Sequence, residues 1–158
     1  MRPRMRNPAD VLPDTARPLT EILRAVHSAG PDPRTLALVR LRISQINGCG
    51  SDVHAGVTAA RAAGVSDERL HALAAWRDTA WFTPAERAAL ELAETATRLA
   101  DRPDAVDDRT WDRAATYYDE RRLAALILLI GTTNLLNRLG AITRQSVPAN
   151  DSNGRNPS

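Results

Sequence analysis

A chain of 158 residues with 21 basic and 19 acidic side chains carries a net charge of only +2. Its single cysteine excludes an internal disulfide. Every basic residue is arginine, which excludes lysine Schiff-base chemistry and a P-loop lysine.

The arginines alternate with acids instead of forming a block, so the pattern describes a salt-bridged surface, and no nucleic-acid partner is expected. No apolar run approaches the roughly 18 residues that a membrane span needs; Leu123 to Ile130 is the longest, so no membrane partner is expected. Residues 1–8 carry arginines without an apolar stretch behind them, so no secretory signal is read. With an unpaired cysteine, a cytoplasmic location is expected.

Residues 1–15, broken by Pro3, Pro8 and Pro13, are predicted to be a disordered N-terminal tail, residues 16–146 a helical domain, and residues 147–158 a disordered C-terminal tail. Seven helical segments are predicted. The first runs from about Pro18 to Ser28, with Leu19, Ile22, Leu23 and Val26 on one face. The second has Asp32 as N-cap and Pro33 at the first helical position, buries Leu36, Val39, Ile43 and Ile46, and stops at Gly48. The third spans Ser51 to Ala63, and the fourth runs from the cap Ser66 to about Trp76. Thr83-Pro84-Ala85-Glu86 is a capping box that opens the fifth, which runs to about Leu99. The sixth, Asp108 to Tyr117, places Trp111 and Ala115 on one face. The seventh runs from Asp119 to about Ile142. Its Leu123–Ile130 stretch is apolar on all sides, which predicts a central, fully buried helix, and Gly131 suggests a close helix crossing. No strand alternation or internal repeat is present, so the fold class is all-α.

Cys49 stands at the junction of the second and third segments. A helix N-terminus favours a thiolate there, but Asp52, one turn on, opposes it. Asp52 also fits the plain role of a dipole-stabilising acid in a first helical turn. His54 reads as a surface histidine, and His27 and His71 are solitary. No set of ligands has the spacing of a closed metal site, and no metal or cofactor is expected. Glu94 fits an ion pair with Arg98 at i+4, and Asn137 and Arg138 fit partners of backbone or acidic groups.

The stretch Leu38-Val39-Arg40-Leu41-Arg42-Ile43-Ser44-Gln45-Ile46-Asn47-Gly48-Cys49 resembles the signature of the carboxymuconolactone decarboxylase family, in its alkylhydroperoxidase D-like branch. The likeness continues through Arg61–Gly64, Glu68–Leu70, Leu73–Arg77, Glu86–Leu90, Ala93-Glu94 and Ile130–Leu135, and ends at Asn137–Leu139. The resemblance implies a compact bundle of about seven helices that assembles as a homo-oligomer, a trimer or hexamer. In the active branch it also implies a Cys-x-x-Cys-x-x-x-His motif that reduces peroxides or a partner peroxiredoxin, with a glutamate and the histidine relaying protons.

Here only the first cysteine of that motif stands, as Cys49. Asp52 occupies the second cysteine's place, Gly56 the histidine's and Ala37 the glutamate's. His54 is not a displaced copy, because a two-residue shift turns everything after it by about 200° on a helix. Cys49 is therefore the single candidate catalytic residue. The expected protein is a family member with weak or no catalysis. The alternative is a single-cysteine, peroxiredoxin-like antioxidant peroxidase that uses an external thiol or a redox partner; lactone decarboxylation ranks last, because that branch asks for a histidine at Gly56.

Overall fold

The structure is a computed structural model and describes residues 2–99, 102 and 104–145. Among the described residues there are eight α-helices and no strand: α1 (Pro8–Val11), α2 (Ala16–Ser28), α3 (Pro33–Ile46), α4 (Gly50–Ala62), α5 (Asp67–Ala72), α6 (Pro84–Thr97), α7 (Asp108–Tyr117) and α8 (Glu120–Thr143). Short 3₁₀ turns follow α1 and α5. The segment predicted as a C-terminal tail lies outside the described residues.

Helix starts follow the local chemistry closely. The side chains of Asp32, Thr83, Asp107 and Asp119 each accept a backbone N–H from the first turn of the helix they open. Thr83 and Glu86 complete the capping box, since Glu86 also accepts the backbone N–H of Thr83 at 2.8 Å.

The centre of the bundle is α3, not the last helix. It packs against α4, α6 and α8, and buries Leu36, Leu38, Val39, Leu41 and Ile43 almost completely. Each such side chain contributes roughly 1.5–3 kcal/mol. The helix α8 is long and apolar enough to cross a membrane by length and composition, yet one side of it packs on α2, α3 and α6. Its other side is open: Ile127, Leu128 and Leu135 are each close to half exposed. This corrects the expectation of a fully buried helix, because an all-round apolar pattern does not say which neighbours one subunit supplies. Gly131 lies on the open side, and a Cβ there would meet nothing within 4 Å, so no crossing inside the subunit explains it.

Three further expectations change. The fourth segment breaks after Ala72, with Ala75 leaving helical geometry (φ −116°, ψ 33°), and the following 3₁₀ turn carries Trp76 into the interior. In α7 the buried side chains are Thr110 and Ala114, whereas Trp111 and Ala115 face outward. The proline-broken N-terminal stretch contains α1 and a 3₁₀ turn, and Arg4 donates its backbone N–H to the Thr143 carbonyl at 2.9 Å.

Candidate functional site

The only cysteine is placed by a helix ending. At the end of α3, Gly48 takes a left-handed conformation (φ +64°) and donates to the Gln45 carbonyl, and Cys49 donates to the Ser44 carbonyl. These two bonds form a Schellman ending, which glycine closes without steric cost. The same turn makes Cys49 the N-cap of α4, with its carbonyl accepting from Val53. The thiol does not cap the helix. It is buried, 7% exposed, and donates to Asp52 Oδ2 at 3.1 Å, with Ser51 Oγ at 3.5 Å. The far side is closed by Gly140 of α8, where an added Cβ would stand 3.3 Å from Sγ.

Asp52 is held from α8. Asn137, 1% exposed, donates to Asp52 Oδ2 at 2.6 Å and to Ser44 Oγ at 3.3 Å, and its carbonyl accepts from Asn47 at 2.9 Å. Asn47 also donates to Asn134, which donates onward to Thr97 Oγ1 and to the Ile130 carbonyl. A continuous polar chain therefore runs from α6 through α8 and α3 to the thiol on α4. Ser44, Thr97, Asn134 and Asn137 are buried and would be costly unpaired, so the chain fixes their positions.

Gly56 is buried against α3, and a Cβ there would meet Leu41 Cδ1 at 3.1 Å, so the end of the Leu41 side chain would have to give, and Leu41 Cα at 3.5 Å, an ordinary contact. Ala37 packs against the hydrophobic core. His54, His27 and His71 are all exposed.

Glu94 does not pair with Arg98. Its buried carboxylate receives Arg42 Nε at 2.6 Å, Trp76 Nε1 at 3.2 Å, and an ion-paired hydrogen bond from Arg77. Burial pushes its pKa up, but the bonds from Arg77 and Arg42 outweigh that and hold it below the ordinary carboxylate value. The Arg77 guanidinium also stacks on Trp76, 4.2 Å from the ring centroid. This cluster ties α3, α6 and the 3₁₀ turn together, which is a structural role.

The expectation that Asn137 serves an acidic partner holds, and that partner is Asp52. Ser44, Asn47 and Asn134 are additions from the structure. The available signal was Asn134 and Asn137 three residues apart in an otherwise apolar helix, which puts two amides on one face.

Comparison with known proteins agrees with this geometry. The model of the carboxymuconolactone decarboxylase family matches residues 13–95. The uncharacterized protein YdfG of Bacillus subtilis is 28% identical over 130 residues, covering 82% of this chain and 87% of that protein. The uncharacterized protein YnjA of Escherichia coli is 38% identical over 113 residues, covering 70% of this chain but 59% of that protein. Among solved structures, a protein of unknown function from Agrobacterium tumefaciens, ATU0492, proposed as an antioxidant defence protein AhpD, superposes with a TM-score of 0.84 at 26% identity, over 93% of this chain and 99% of that one. The apo debrominase Bmp8 superposes with a TM-score of 0.74 at 22% identity, over 89% of this chain and 74% of that one, a likeness of fold. Matched by the family model over more than half its length and sharing the fold of its AhpD-like neighbour, the chain belongs to the carboxymuconolactone decarboxylase family.

Proposed function

We propose that this protein is an alkylhydroperoxidase D-like family member whose redox centre is reduced to one hydrogen-bonded thiol, with weak or no peroxide turnover, carried on a homo-oligomeric scaffold. One observation carries the reading: the Cys49 thiol donates at 3.1 Å to Asp52, the residue that the resemblance places at the second cysteine's position.

A dithiol enzyme resolves its sulfenic acid internally, whereas a lone thiol must meet a second thiol from outside or risk over-oxidation. Burial of Sγ under Gly140 limits attack on a peroxide.

A second reading is favoured by the Asn137–Asp52 bond, which aims a fixed acceptor at the thiol. In it, Asp52 is the base of a single-cysteine peroxidase that an external thiol or redox partner recycles in a reducing, cytoplasmic setting. Lactone decarboxylation has less support, since Gly56 stands where the resemblance asks for that branch's histidine.

The deciding experiment follows hydroperoxide consumption with a small dithiol as reductant, comparing wild type with Cys49→Ser. The proposal expects a wild-type rate no more than a few-fold above that of Cys49→Ser. Turnover at least a hundredfold above background that disappears in Cys49→Ser overturns it and supports the second reading.

A further inference from the structure

The opposite end of α3 opens onto a separate cleft of about 510 Å³. At 1.5 Å per residue along α3, it lies roughly 20 Å from the thiol. Three long helices begin at its rim: α3 after Asp32, α6 after Thr83 and α8 after Asp119. Their N-termini bring partial positive charge to the same space. This alone would not make a site, but the side chains add to it.

Arg34, Arg69 and Arg122 line the cleft, against the two carboxylates Asp32 and Glu86. Both carboxylates are already paired with arginines. Asp32 accepts the Arg34 backbone N–H at 2.8 Å and its guanidinium at 2.8 and 3.2 Å. Glu86 accepts Arg69 Nη2 at 2.6 Å through one oxygen and the Thr83 backbone through the other. The arginines are less fully engaged. Arg69 Nε is buried without a hydrogen-bond acceptor. Arg122 has one ion-pair contact, to Asp119, and it is 3.8 Å long. Its guanidinium reaches over the turn before α3, where its Nε lies 3.8 Å from the position of a Cβ at Gly30. A guanidinium with open N–H groups, beside acids already paired with other arginines, can recognise a carboxylate.

The same cleft carries two aromatic side chains that the fold does not bury: Trp81 is 53% exposed and Tyr117 43%. They offer flat apolar surface for a ring. A ligand pocket of this size class suits a small molecule.

We propose that this cleft binds a small aromatic carboxylate, its carboxylate held by Arg122 and its ring laid against Trp81 and Tyr117. The site is independent of Cys49 and of any redox role.

Titration calorimetry of the full chain with 2-naphthoate tests it, with neutral 2-naphthamide as the matched probe. The expected result is one saturable site per chain for the acid and at least tenfold weaker binding of the amide. Arg122→Gln should weaken the acid at least tenfold and leave the amide unchanged. Arg98→Gln, the same charge change at an exposed position outside the cleft, should leave both unchanged. Trp81→Ala should weaken acid and amide alike. Thermal melts that match wild type will show that each variant is folded, and the exposed positions of Arg122 and Trp81 make that the expectation. No saturable binding of the acid at low millimolar concentration overturns the proposal. So does equal affinity for acid and amide, or equal weakening by Arg122→Gln and Arg98→Gln.

Discussion

At the scale of single residues, two carboxylates define what this molecule can do. Asp52 and Asn137 hold the thiol in a donor role. Asp52→Asn removes the nearby charge and keeps a carbonyl oxygen that can accept from both Asn137 and the thiol. Alkylation of Cys49 by iodoacetamide near neutral pH should then run several-fold faster than in wild type, as mass spectrometry of the labelled peptide will show. The second carboxylate, Glu94, is buried between Arg42 and Arg77. Folding lowers its pKa, so near pH 4 the folded state binds fewer protons than the unfolded one. Its contribution is whole above the unfolded value of ~4.3, and it is lost as pH falls through the lower folded value. Glu94→Gln should cost about 3 kcal/mol at neutral pH, since it leaves the buried Arg42 guanidinium without its charge partner. It should also flatten the loss of stability below about pH 4. Denaturant melts across pH for the two proteins check both statements.

At the scale of elements, the thiol's position depends on how α3 stops. The left-handed turn at Gly48 puts Cys49 over α4 and under α8. Gly48→Ala leaves space unchanged, as nothing lies within 4 Å of the added Cβ, but places a side chain where the backbone disfavours it. The expected cost is about 1–2 kcal/mol, read as a lower melting temperature with the helical circular dichroism spectrum retained. The boundaries of α3 and α7, and the caps of α6 and α8, were legible because Asp, Thr and Pro act locally. The break between α5 and its 3₁₀ turn was not legible. It is driven by Trp76 reaching Glu94, a contact between residues 18 apart in sequence.

At the scale of the whole molecule, the open apolar side of α8 calls for a cover. Ile127, Leu128 and Leu135 lie on it, and Ile127 and Trp111 line an adjoining, mostly apolar groove of about 560 Å³. Exposed apolar side chains gathered on one side of a helix are the kind of surface that a protein interface uses. The proposed occupant is a second copy of the chain. Light scattering at micromolar concentration should report a species larger than the 17.2 kDa chain. Leu128→Glu should reduce it to that mass while the circular dichroism spectrum stays helical. A wild-type chain that runs only as a monomer would remove the scaffold from the proposed function.

The sequence by itself determined the helical class, most helix starts and the family. Those properties rest on local backbone chemistry, on periodicity and on motif spacing, all of which are written along one stretch of chain. Tertiary structure alone decided that α3, not α8, is central, because burial depends on which neighbours arrive from elsewhere. It also decided that Glu94 belongs to Arg42 and Arg77, and that Asn137 holds Asp52 against the thiol. An amide and a carboxylate 85 residues apart meet only because α4 and α8 both pack on α3, and no local pattern encodes a distance across the core.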